Sequence, residues 1–110
     1  MIYTDSSIIL AELLDDQEAP PGWLWGEPRT ASRLLQYEVW NRLHAYGVAE
    51  AAGEDARLLI GSTWLLELVP DVLARALEPF PTPVRTLDAL HLATAEFVQR
   101  GLAPAGVTLQ

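Results

Sequence analysis

The chain contains no cysteine, so it has no disulfide framework, no thiolate nucleophile and no cysteine-rich zinc site. A reducing compartment is the natural setting for such a sequence, and the expected location is the cytoplasm. Lysine is also absent, because all seven basic residues are arginines. That excludes the phosphate-gripping lysine of a P-loop and every Schiff-base mechanism. Seven basic residues against fifteen acidic ones leave a formal net charge of −8, which speaks against a broad basic face for nucleic acid. A polyanionic ligand would have to be held locally. Long apolar runs are missing as well. Ile8 to Leu14 is interrupted by Glu12, is followed by Asp15-Asp16 and has no basic region before it, so it reads as neither signal peptide nor membrane span.

What remains is a chain of 110 residues, 50% hydrophobic and only 20% charged, which predicts one packed domain over residues 1–110. Ile2 to Thr4 reads as a buried strand running into Asp5-Ser6-Ser7, three residues that favour a helix start, and a largely apolar helix to Leu14 follows. Residues 19–28 hold three prolines, two glycines and two tryptophans, the signature of a loop or short irregular helix. Thr30 to Leu34 is expected as a second strand. Leu35, Val39, Leu43 and Tyr46 then recur at helical spacing, and Gly47 supplies a stop. Gly53-Glu54-Asp55 is expected to precede a short helix from Ala56 to about Ile60, and Thr63 to Val69 a third strand closed by Pro70. After a short helix over Asp71 to Leu77 and a proline-rich connection, Thr86 is expected to cap a long helix. Leu87 to Arg100 fill it, and Gly101 lies in the left-handed position after its end. Gly106 to Leu109 resembles a fourth strand. Strands alternating with helices predict an α/β fold: a central parallel sheet with helices on both faces.

Three carboxylates stand among apolar neighbours: Asp5 after Met1-Ile2-Tyr3, Glu38 within Leu34-Leu35-Gln36-Tyr37-Glu38-Val39-Trp40, and Asp88 within Leu87-Asp88-Ala89-Leu90-His91. Ionised acids in apolar surroundings need compensation, and a hard cation such as Mg²⁺ or Mn²⁺ bound by oxygen ligands would supply it for all three. Each acid also has a plainer role. Asp5 suits a helix N-cap, Glu38 an i to i+4 ion pair with Arg42, and Asp88 the positive end of a helix. Those roles leave unaddressed why three acids stand at three element starts of one α/β fold, where ligands gather beyond the carboxyl ends of the strands. His91 lies one turn beyond Asp88 on the same helical face, within reach of that acid or of water, although a satisfied core histidine is the favoured reading. His44 has no acidic neighbour at a ligand spacing. The four tryptophans are too scattered to define a base-stacking stripe and read as packing residues.

The stretches Met1-Ile2-Tyr3-Thr4-Asp5-Ser6-Ser7, Leu34-Leu35-Gln36-Tyr37-Glu38-Val39-Trp40-Asn41-Arg42-Leu43 and Leu87-Asp88-Ala89-Leu90-His91-Leu92-Ala93-Thr94-Ala95 resemble, in order and spacing, the first three acidic motifs of PIN-domain proteins, with a VapC-type toxin the nearest match. The resemblance implies a three-layer α/β/α fold around a parallel sheet, a metal-dependent endoribonuclease, a homodimer and neutralisation by a VapB-type antitoxin. It makes Asp5 and Asp88 the principal Mg²⁺ or Mn²⁺ ligands, with Glu38 binding directly or through water, and all three catalytic. The family pattern continues to a fourth acidic position and a last strand, whereas no Asp or Glu follows Glu96 here, and Glu96 lies on a rotated face. The fold is therefore expected to be C-terminally short, with its last strand missing and an exposed sheet edge that invites dimerisation. Arg29, Arg33, Arg42 and Arg85 are candidates for phosphate contact. A catalytically impaired module acting through antitoxin binding or oligomerisation is the alternative expectation. A receiver-like or flavodoxin-like switch is disfavoured by the absence of lysine and of a phosphate-cradling loop.

Overall fold

The computed structural model describes residues 1–14 and 19–102. The chain order is β1 (Ile2–Tyr3), α1 (Ser6–Leu13), a 3-10 turn (Gly22–Gly26), β2 (Arg29–Ser32), α2 (Leu34–Ala45), α3 (Ala49–Gly61), β3 (Thr63–Leu66), α4 (Pro70–Ala76) and α5 (Thr86–Leu102). The three strands form a parallel sheet in the order β1-β2-β3. Tyr3 is in register with Thr30, which is in turn in register with Trp64. The expected α/β architecture is therefore present. The expected strand over Gly106 to Leu109 and the acids Asp15 and Asp16 lie outside the described residues. No helix among the described residues is long and apolar enough to cross a membrane.

Helices α1, α2 and α3 pack on one another and close the main core, in which Ile9, Leu35, Val39, Leu43 and Ala56 surround Ala31 of β2. Helix α5 lies against β2, with α4 packed on it, and Val72, Ala93 and Val98 are buried in this layer. Strand β2 is consequently buried along its whole length, as expected for the middle strand of a parallel sheet covered by helices. Its Arg29 is only 4% exposed. The guanidinium lies over the Trp25 ring, 4.9 Å from its centroid, and donates hydrogen bonds to the Trp25 and Glu27 carbonyls and to Ser62 beyond the end of α3. Burial lowers the Arg29 pKa from its ordinary value. A single side chain thus joins the 3-10 turn, the middle strand and the end of α3.

Several boundaries differ from the sequence expectation for local reasons. Strand β2 ends at Ser32 rather than Leu34, because the Ser32 hydroxyl accepts the Leu34 N–H at 3.2 Å and turns the chain into α2. Gly53 lies inside α3 rather than ahead of it. A Cβ there would stand 3.1 Å from the Trp40 ring, so its missing side chain lets α2 and α3 approach closely. Strand β3 stops at Leu66, and Pro70 opens α4 at the first-turn position where a missing N–H costs nothing. Thr86 is the first residue of α5 rather than its cap, and Gly101 continues that helix rather than following it. The stop after α2 is as expected. Gly47 has φ 71, its N–H donates to the His44 carbonyl and that of Val48 to the Leu43 carbonyl, the paired bonds of a Schellman ending.

Replacing Arg29 by alanine leaves buried carbonyls without donors and strips the cover from Trp25. The variant is expected to lose about 2 kcal/mol of folding stability, read as a lower urea midpoint with an unchanged slope.

Candidate active site

Asp5 follows β1, Glu38 stands in the second turn of α2 after β2, and Asp88 lies in the first turn of α5. All three line one cavity of about 380 Å³, whose remaining wall includes Tyr3, His91 and the apolar Leu92. Three separate segments thus contribute these acids to the wall of one cavity. The apolar surroundings read from their sequence neighbours do not enclose them, since Asp5 and Asp88 are exposed and Glu38 is half-buried. Their apolar sequence neighbours, such as Ile9, Val39 and Ala89, point into the layers behind them, so solvent rather than a counter-ion compensates Asp5 and Asp88.

Two of the plainer roles also resolve. Asp5 does cap α1: one carboxylate oxygen accepts the Ser7 N–H at 3.3 Å and the Ser6 hydroxyl at 3.3 Å. The expected Glu38–Arg42 ion pair is not formed among the described residues. Glu38 Oε1 instead accepts from His91 Nε2 at 2.5 Å, in a pair whose side chains are only 24% and 14% exposed. His91 is therefore joined to Glu38 rather than to Asp88. Its other ring nitrogen, Nδ1, lies 3.2 Å from the Tyr3 hydroxyl, and that hydroxyl accepts the Ser32 backbone N–H at 3.2 Å.

A carboxylate accepts only, so Nε2 carries the proton in this bond and Nδ1 is left to accept the Tyr3 O–H. The result is a directed chain from the Ser32 amide through Tyr3 and His91 to Glu38. Tyr3 went unremarked as a functional residue in the sequence, yet it stands two positions before Asp5 at the end of a strand, and strand periodicity puts such residues on one face. Burial pushes the Tyr3 hydroxyl up to about 12. The Ser32 amide and the Thr94 side chain oppose this, and the nearby Asp5 and Glu38 charges add to it.

Donor chemistry matches a hard divalent cation, because the three carboxylates share a cavity with no arginine in its wall. Among the described residues, one Asp5 oxygen, one Glu38 oxygen and the Asp88 carboxylate have no partner. As the side chains stand, no group of three His, Asp or Glu converges closely enough to hold an ion among the described residues. Asp5 and Asp88 are exposed, Asp5 with one oxygen engaged in the α1 cap, while Glu38 is held by His91.

No family model matches the chain. Its sequence is 31% identical over 109 residues to Ribonuclease VapC47 of Mycobacterium tuberculosis (strain CDC 1551 / Oshkosh), an alignment covering 93% of this chain and 79% of that protein.

The raised Tyr3 pKa gives a signed pH dependence. Between pH 10, where an unfolded tyrosine loses its proton, and about 12, where folded Tyr3 does, the unfolded chain binds fewer protons, so stability falls as pH rises. Tyr3→Phe is expected to flatten that decline and to remove one step near pH 12 from the ultraviolet tyrosinate titration.

Proposed function

Since the chain belongs to the VapC ribonuclease family, we propose that it is a metal-dependent endoribonuclease toxin that hydrolyses RNA phosphodiester bonds at the cavity lined by Asp5, Glu38 and Asp88. The observation that carries the reading is the meeting of three carboxylates from three separate elements on one cavity beyond the strand ends. In this proposal Asp5 and Asp88 are the principal ligands of Mg²⁺ or Mn²⁺, and Glu38 binds the ion directly or through water. Such an ion supplies an activated water and stabilises charge on the phosphate oxygens.

The chain's own residues set up the rest. His91 holds Glu38 through Oε1, and Oε2 has no partner among the described residues. Tyr3 fixes the ring of His91, and the Ser32 amide fixes Tyr3, so Glu38 is aligned by backbone through two rigid rings. Asp5 holds its position as the cap of α1 with one oxygen and keeps the other available. Leu92 and Ala95 form an apolar wall that limits competing water. Family membership further supports a VapB-type antitoxin as partner and a homodimer as the working assembly.

The alternative, a catalytically impaired module acting through its partners, is favoured by one observation: the acids do not converge in the described arrangement. The two readings separate experimentally. On the hydrolase reading, purified protein cleaves single-stranded RNA with Mn²⁺ and not with EDTA, and Asp5→Asn or Asp88→Asn lowers the rate at least about 100-fold. Mn²⁺ is also expected to raise the thermal midpoint of the wild type and to leave that of the double variant unmoved. Cleavage that persists unchanged in Asp5→Asn sinks the proposal.

A further inference from the structure

The seven arginines are not equally available to a ligand. Arg29 is buried and bonded to the 3-10 turn and Ser62. Arg33 is paired with Glu67 at 2.6 Å and Arg75 with Glu96 at 2.8 Å, while Arg57 lies over the Trp40 ring at 5.1 Å. Arg42, Arg85 and Arg100 are exposed and make no side-chain hydrogen bond or ion pair among the described residues. Of these three, Arg42 lines a large cleft among the described residues. It stands on the wall of a cleft of about 630 Å³ between α1 and α2, beside Ser7, Asn41 and Tyr46. Glu38 belongs to the wall of this cleft and also to the wall of the acid cavity, so the two spaces adjoin at that residue.

The cleft shares the Glu38 carboxylate with its neighbour and otherwise differs from it in chemistry. Where the acid cavity offers carboxylates, the cleft offers donors: the Arg42 guanidinium, the Asn41 amide and the Ser7 hydroxyl, with the exposed ring of Tyr46 at one side. Guanidinium groups bind phosphate in bidentate fashion, and exposed aromatic faces receive unstacked bases without regard to sequence. In a chain of net charge −8, an arginine that has no ion pair among the described residues and faces a cleft opening beside the acids is the local cationic contact that a polyanion requires.

We infer that the α1–α2 cleft is a subsite for single-stranded RNA, in which Arg42 binds a backbone phosphate adjacent to the bond lying in the acid cavity and Tyr46 stacks on its base. The inference rests on the hydrolase reading for the identity of the polyanion, but it concerns binding and is tested without turnover. Among the described residues Glu38 pairs with His91 and not with Arg42, whose guanidinium therefore has no described carboxylate to release before it takes a phosphate.

The test is fluorescence anisotropy with a labelled single-stranded RNA twelve-mer of mixed sequence, titrated in EDTA over a series of salt concentrations. Arg42→Ala is expected to weaken binding about tenfold at low salt and to flatten the salt dependence by about 0.7 in log–log slope. Arg42→Lys should retain the slope. Arg100→Ala, near the far end of α5 and about 18 Å along the helix from Asp88, should change neither affinity nor slope. All three variants should keep the wild-type thermal midpoint, because neither side chain makes a described contact. Equal affinity and slope for Arg42→Ala and wild type overturn the inference, as does wild-type protein that binds no RNA, or that binds an acidic polypeptide through Arg42 in its place. Binding lost with Arg42 in a protein that never cleaves RNA with Mn²⁺ would instead uphold the subsite and defeat the hydrolase reading.

Discussion

Strand β2 is buried on both faces although Arg29, Thr30 and Ser32, three of its four residues, are polar, and satisfying them organises the molecule around it. Buried polar groups left unpaired cost more than most single packing contacts contribute, so each of these residues has to recruit a neighbour. Arg29 recruits the 3-10 turn and the end of α3. The Thr30 hydroxyl donates to the Trp64 carbonyl of β3 at 2.9 Å. Ser32 lies beyond the last residue of β1 in register, so its amide has no strand partner on that side and donates to the Tyr3 hydroxyl instead. That bond is where the architecture passes into the candidate site. The same Ser32 that ends the strand and starts α2 through its hydroxyl also orients, through its amide, the ring that orients His91 and then Glu38.

The broad plan was legible in the sequence because it rests on periodicity and on strand-to-helix junctions. Asp5 capping α1, Gly47 ending α2 and the acidic first turn of α5 are local events, fixed by residues within a few positions of one another. The parts that were not legible depend on contacts distant in sequence. Gly53 reads as a helix breaker until Trp40 of α2 is seen to occupy the space its side chain would fill. Arg42 is the natural partner of Glu38 by helical spacing. A histidine 53 residues further along the chain outcompetes it, because that pairing is part-shielded from water and an exposed i to i+4 pair contributes only about 0.5 kcal/mol. The apolar surroundings read for Asp5 and Asp88 do not enclose them for a related reason: apolar neighbours along the chain lie on other faces, and only three-dimensional placement reveals which face the acid takes.

Arginine use follows the same division. Four of the seven, Arg29, Arg33, Arg57 and Arg75, are engaged in ion pairs, carbonyl bonds or ring stacking. In a chain with fifteen acidic residues this leaves little positive charge for any ligand, so the position of each remaining guanidinium matters more than the net charge. Net charge describes the far field, and salt screens that field within about 8 Å under physiological conditions. A polyanion held against such a protein is held by what lies within a few ångströms of it.

The unequal fixing of the three acids bears on how such a site works. If all three carboxylates were locked in a converged cluster without a cation, their mutual repulsion would oppose folding or raise their proton affinity. Here only Glu38 is fixed in place, by a histidine that donates a hydrogen bond rather than by an arginine whose permanent charge would oppose a cation. Asp5 is half-committed to a helix cap, and Asp88 is free in solvent among the described residues. In the proposed metal site, one pre-aligned ligand with two that would close on arrival would spread the cost. The repulsion of convergence would then be met only when a cation is present to offset it, and the alignment of Glu38 is supplied beforehand by two rings and backbone. The Tyr3–His91 pair is therefore the part of the cavity whose loss would be felt at the acids, although neither ring belongs to the carboxylate set.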